Sequence, residues 1–226
     1  MQSFFGSRTK QEPGFTMVEF VISAVILLLI SAALFTILAE TQRSSSYQTE
    51  VQAVMDNTRI AMDTVEGYVR QAGNDPCKAA GFVGIGDGGV MTATSVRLRS
   101  DLTGSAGCAT PSCGCVCTTS SPLCDQGDPD GDTSDAGEDV TVSYDSATRT
   151  VNITPQGAAA VQPIANYISA FTLQYYNATG TEIPTGPGAN VQKIKITMTG
   201  TTTLANPQTK KTFGQTVTSD VQIATR

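Results

Sequence analysis

Gly14-Phe15-Thr16-Met17-Val18-Glu19-Phe20-Val21 decides how the rest of this chain is read. It opens an apolar run, Phe15 to Leu38, in which Glu19 is the one charged side chain. The remaining polarity is confined to hydroxyls such as Ser23, Ser31 and Thr36. A helix needs about 20 apolar residues to cross a hydrocarbon core, so the segment is long enough. A carboxylate in lipid is costly unless paired, so Glu19 is expected to have a designated partner. Arg8 and Lys10 precede the run, partly offset by Glu12, and no basic cluster follows it at once. That asymmetry predicts a cytoplasmic N-terminus and a translocated remainder. An ordinary secretory signal has an apolar region of about 7–15 residues with a small-x-small cut after it. Here the run is longer and the helical pattern continues beyond it. An uncleaved anchor would explain the run, but not the Gly14-Phe15 junction or Glu19.

Bulk properties narrow the remainder. A chain of 226 residues provides one ordinary domain beside a membrane helix. A net charge of −6 argues against a nucleic-acid surface, which needs a basic patch. There is no His, which removes the commonest general base and the commonest zinc ligand. All six Cys follow the apolar run, and an even count outside the cytoplasm reads as disulfides.

After Leu38 the run becomes amphipathic. Val51, Val54, Met55, Thr58, Met62, Val65, Tyr68, Val69 and Ala72 recur at three- and four-residue spacing, and define one face. Glu50, Asp56, Arg59, Asp63, Glu66 and Arg70 fall on the other. Gly73-Asn74-Asp75-Pro76 is a stop, with Gly near C′ and Pro just beyond. One helix from Phe15 to about Gly73 is therefore predicted, with Ser44-Ser45-Ser46 as its weakest stretch.

The junction Gly14-Phe15-Thr16-Met17-Val18-Glu19-Phe20 resembles the cleavage and methylation motif of type IV pilins and type II secretion pseudopilins. Met17 and Phe20 stand where Leu is more usual. Asn57-Thr58-Arg59-Ile60-Ala61, leading to Arg70-Gln71-Ala72-Gly73, is similar to the helix end of PilW-type minor pilins, with J-type pseudopilins as near relatives. The resemblance implies a leader over 1–14, a membrane half of the helix over 15–38 and an amphipathic half over 39–73. It also implies a prepilin peptidase that cuts after Gly14 and methylates the amine of Phe15. Glu19 would then face the N-terminal amine of a neighbouring subunit.

Residues 74–226 are predicted to form a β-rich domain. Thr94 to Ser100, Asp139 to Tyr144, Arg149 to Ile153, Ile168 to Tyr176, Val191 to Thr199 and Thr216 to Ile223 carry strand patterns. A hairpin is expected across Asp145–Thr148. The fold class is α+β: a long N-terminal helix packed on an antiparallel sheet or two small sheets, as in type IV pilins. Ser169 to Gly180 and Val191 to Thr197 again resemble the PilW-type C-terminal half.

Two loops carry candidate chemistry. Cys108, Cys113, Cys115, Cys117 and Cys124 crowd the segment 104–126, and Cys77 makes the sixth. Their alternate spacing fits a zinc knuckle poorly, and a disulfide-stapled loop is expected instead. Six Cys allow 15 connectivities, which spacing does not choose among. The second loop, 128–139, holds five Asp and one Glu with no Lys or Arg. It resembles the EF-hand calcium loop, with Asp128, Asp130 and Asp132 at its first, third and fifth positions and Asp139 at its twelfth. Thr133 replaces the usual Gly, and Asp139 the long bidentate Glu. A possible calcium ion and a solvated acidic turn stay open as readings. Gly81 to Gly89 is glycine-rich, precedes a strand instead of a helix, and reads as a flexible loop.

No enzyme is expected, and no cofactor is required. The resemblance implies a minor structural subunit of a type IV pilus, helping prime assembly or decorate the filament. It would reside in the inner membrane before assembly and in the extracellular pilus after it. Its partners would be other pilin subunits and the prepilin peptidase, with no nucleic acid. A J-type pseudopilin, or a membrane-anchored calcium-dependent adhesin that never polymerises, are the alternatives.

Overall fold

The computed structural model describes residues 14, 16–75, 82–86, 91–103, 133, 135–157, 160–184 and 190–223. The architecture is α+β, and the described residues form one long N-terminal helix and two antiparallel sheets. Helix α1 spans Met17–Gln71, and Ser44, Ser45 and Ser46 are helical within it. The chain divides into two compact units at Ser46–Tyr47.

In the first unit the apolar part of α1 is bare. Val18, Phe20, Leu28, Leu29, Leu34 and Phe35 are all more than 60% exposed. It is long and apolar enough to cross a membrane.

In the second unit, β1 (Ser95–Arg99), β2 (Asp139–Asp145), β3 (Thr150–Pro155) and β4 (Gln162–Ala165) form one sheet in chain order. The other sheet contains β5 (Ile168–Tyr176), β6 (Glu182–Ile183), β7 (Lys193–Ala205) and β8 (Thr212–Gln222), in the order β6-β5-β7-β8. The longer strands β1, β2, β3, β5, β7 and β8 follow from period-two patterning, because alternate side chains share a face. Val96, Val142 and Ile153 lie in register in the first sheet, as Phe171, Met198 and Val217 do in the second. Asp145 seeds the β2–β3 hairpin: its Oδ1 accepts from the Ala147 N–H and its Oδ2 from the Thr148 hydroxyl.

Ala61, Met62, Val65 and Val69 of α1, with Ala72 just beyond its end, join both sheets in one core. Two close approaches fix the seams of this packing. A Cβ on Gly200 would lie 2.2 Å from Thr58 Oγ1 and 2.8 Å from Val54 Cγ1, so only glycine lets β7 come this close to the helix. At the helix end Gly73 has φ +82° and donates its N–H to the Arg99 carbonyl (2.9 Å). Arg99 in turn donates to the Gly84 carbonyl (2.8 Å), and Gly84 rests on the Gly73 backbone. Within the glycine-rich stretch Ile85 is buried and bridges to Leu98.

Two assignments to helix faces are corrected. Met55 is 44% exposed, and Glu50 is buried. The Glu50 carboxylate accepts from the Thr203 N–H (2.7 Å), the Leu204 N–H (2.8 Å) and the Thr203 hydroxyl, tying the end of β7 to the helix. Burial alone would raise this carboxyl, but the bonds from Thr203 and Leu204, with Arg149 nearby, outweigh burial and hold it below the usual range. The unfolded chain therefore takes up the proton first. The contact is at full strength above the ordinary Glu value of about 4.3 and weakens as pH falls through the lowered folded value. Glu50→Gln is expected to cost about 1–2 kcal/mol at pH 7, since hydrogen bonds to a charged acceptor exceed neutral ones. The penalty should shrink toward pH 3. Thermal melts of both proteins across that range check it, and a pH-independent difference would refute the charge argument.

Candidate functional site

The site begins where α1 begins. Thr16 sits just before the first helical residue, Met17, as an N-cap. Its Oγ1 accepts from the Glu19 N–H (3.3 Å), while Glu19 Oε2 accepts from the Thr16 N–H (3.2 Å) and hydroxyl (3.1 Å). This reciprocal capping box satisfies donors that a helix start otherwise leaves unpaired. The carboxylate also sits at the positive end of the helix macrodipole. Glu19 thus has a partner within its own chain. The Thr-x-x-Glu spacing was visible in the sequence, and the role of Thr16 is the local signal that sequence reasoning missed.

Gly14 lies two residues ahead of that cap, exposed, with nothing within 4 Å of where a Cβ would stand. A processing enzyme would meet no steric barrier from the described residues there. Phe15 lies outside the described residues.

The acidic and cysteine sites are separated from this end in sequence. Cys77, Cys108, Cys113, Cys115, Cys117 and Cys124 lie outside the described residues, as do Asp128, Asp130 and Asp132. Asp139 is described, and it is 5% exposed at the start of β2. Arg97 grips it from the neighbouring strand, Nε to Oδ1 at 2.8 Å and Nη2 to Oδ2 at 2.5 Å, and Arg99 Nε stands 3.5 Å from Oδ2. Such a fork is a strong, directional pair. Both carboxylate oxygens are therefore already engaged, and a cation would have to compete with a guanidinium for them. Arg99 also donates to Thr133 Oγ1, which ties the middle of the acidic loop to β1.

Glu138, next to Asp139, is buried at 1% exposure. Its Oε1 accepts from the Leu102 N–H (2.7 Å), the Thr103 N–H (2.6 Å) and the Thr103 hydroxyl (3.2 Å). The last two residues of the acidic loop are thus interior anchors, where a solvated turn would have exposed them. No sequence period marks this, because their partners come from β1 and the segment after it. Among the described residues, no group of three or more His, Cys, Asp or Glu is placed to hold a metal ion.

No family model matches this chain, and no curated protein or solved structure matches it either.

Proposed function

We propose that this chain is a membrane-inserted precursor that becomes a minor subunit of a type IV pilus, of the PilW type. The observation that carries the reading is the start of α1. A small exposed residue, Gly14, precedes a capped helix whose first turn holds the lone carboxylate Glu19. The apolar side chains beyond it are bare in the single chain. Such a surface needs lipid or other helices around it, and a subunit that moves from membrane to filament meets both in turn. The α+β build, with sheets packed on the later part of the helix, is compatible with this reading. The role is structural, without catalysis.

A filament resolves the Glu19 problem differently from a membrane. In the single chain the carboxylate is held by uncharged Thr16 donors only, which leaves its charge uncompensated by any cation among the described contacts. A neighbour's free N-terminal ammonium would neutralise it, because pairing is what makes a charge in an apolar setting tolerable. The capping box also lends weight to a second reading, an anchored domain that never polymerises. In that case Glu19 is a helix cap and nothing more.

Sheared surface filaments, analysed by mass spectrometry, separate the two. Recovery of this chain from filaments, beginning at a methylated Phe15, is the expected result. A chain found only in the membrane fraction, with residues 1–14 still attached, overturns the pilus reading.

A further inference from the structure

The outer edges of the two sheets are not alike. β4 is four residues long and carries Pro163, and β6 has two residues. The outer side of β1 is met by isolated bridges from Ile85 to Leu98 and from Met91 to Val96. β8 has 11 residues, pairs with β7 on one side, and meets no strand on the other among the described residues. Exposed edges are normally blunted by Pro, Lys or a bulge. β8 holds no Pro, Lys or Arg, and the extra residues of the β7–β8 register shift lie in β7, between Thr201 and Ala205.

The neighbours of β8 fix which of its backbone groups are free. Leu173 of β5 donates its N–H away from β7, to the Ala93 carbonyl (2.7 Å). Successive residues of an antiparallel ladder alternate sides, so Ile196, opposite Leu173, turns its backbone groups to Ser219. Phe213 keeps the same phase and donates its N–H toward β7, to Thr202 Oγ1 (2.9 Å). The odd-numbered residues from Phe213 to Val221 thus bond to β7. The even-numbered ones, from Thr212 to Gln222, turn their N–H and C=O groups outward, and all of these residues are exposed. Such a row is a template for one more strand.

A second copy of β8 fits it. Outward-facing residues must meet one another, so an even-numbered residue pairs with an even-numbered one. Of the registers this allows, the one centred on Gln215 is self-complementary. It sets Gly214 against Thr216 and Thr212 against Thr218 of the other copy, and each such pair exchanges two backbone bonds. Between them Phe213 meets Val217, both half-buried in the single chain, and an aromatic facing a β-branched side chain is a favourable cross-strand pair. At each end Asp220, the only charge in β8, faces Lys210 in the turn before the strand. Lys210 Nζ otherwise rests on the neutral Pro207 carbonyl (2.5 Å). Lys193 stands 3.8 Å from Asp220, whose side chain is 54% exposed and open to a second cation. The next register on either side sets Asp220 against Thr212 or Gln208 and loses the charge pair.

We propose that two copies of this chain join through β8, as an antiparallel pair about a two-fold axis at Gln215. The inference does not rest on the pilus reading, because a two-fold contact closes on itself whereas a filament needs one that repeats.

Sedimentation of the full chain in density-matched detergent micelles tests it, at about 10–100 μM, where a micromolar dimer is populated. A dimer is expected. Thr216→Pro removes an outward N–H at the centre of the contact and should give a monomer with an unchanged far-ultraviolet spectrum, since proline is tolerated where an edge N–H faces solvent. Should proline disturb the fold, the charge pair tests the same contact without touching the backbone. Lys210→Glu or Asp220→Lys alone should weaken the dimer about tenfold, because attraction turns to repulsion at both ends. The two changes together should restore it. A monomeric unmodified chain would leave the edge to a strand of another protein and overturn the proposal. A dimer indifferent to Thr216→Pro, which would place the contact on the bare part of α1, or a double exchange that restores nothing, would overturn it equally.

Discussion

With Gly14 replaced by Asp, the leader is expected to remain on the chain, and no mature product should appear. The effect is expected to be all-or-none, because the cut under the proposed reading falls directly after this residue. Under that reading the peptidase takes Gly14, the smallest residue, before the scissile bond, and an Asp there would add both bulk and the desolvation cost of a charge. The structure makes the test clean. Gly14 is exposed and a Cβ would meet nothing within 4 Å, so the substitution disturbs no contact among the described residues. It also lies outside the Thr16–Glu19 capping box, which keeps the helix start intact. Membrane level and melting temperature should therefore match the unmodified chain, while immunoblotting shows only the longer form. Processing at the normal position in Gly14→Asp would remove the main support for a prepilin.

Gly84→Ala should have the largest effect on stability. The new methyl carbon would stand 2.4 Å from Gly73 Cα and 2.5 Å from Gly73 N. Both are backbone atoms, so no side chain can rotate away. Gly73 cannot retreat either: its positive φ ends the helix, and its N–H is bonded to Arg99. The clash would push apart the end of α1, the Ile85 segment and β1, three pieces that meet at this point. Overpacking of this kind costs about 3 kcal/mol, and more where backbone must move. For a unit of this size that corresponds to a fall of about 6–12 °C in melting temperature. Gly67→Ala is the opposite control. It adds a methyl group to open space in a helix interior and should stabilise by about 0.5–1 kcal/mol. An unchanged melting temperature in Gly84→Ala would mean that the Gly73 and Gly84 backbones do not touch in solution.

The same two glycines illustrate where sequence reading stops. Gly73, followed by Asn74-Asp75-Pro76, could be read as a helix stop, because a C′ glycine and a following proline act through local backbone sterics. Gly84 looked like part of a flexible loop, because nothing local distinguishes a glycine that is free from one pressed against another backbone. Strands β4 and β6 were missed for a related reason. Gln162–Ala165 and Glu182–Ile183 are too short to develop an alternation, and each is a strand only because a longer neighbour offers it a ladder.

By itself the sequence determined the elements whose physics is local. The apolar run and its continuation at helical spacing gave α1, and period-two alternation gave β1, β2, β3, β5, β7 and β8, although β7 runs six residues past the expected Thr199 and β8 begins four before the expected Thr216. The Thr16-x-x-Glu19 box is equally local, since both partners lie in one turn, yet the reading of the sequence passed over it. Only the tertiary structure decided which polar residues are interior. Glu50 sits on a face that reads as solvent-exposed, yet it is buried because Thr203 and Leu204, some 153 residues on, bring it their donors. Asp139 reads as one acid among several in a turn, yet it is claimed by Arg97 across a strand pair. Glu138 is drawn inside by the N–H groups of Leu102 and Thr103. A buried carboxylate is tolerable only when donors converge on it, and that convergence is a property of the folded chain. Periodicity reports which side of an element is apolar, and has no means of reporting what will arrive from a distant segment to satisfy a charge.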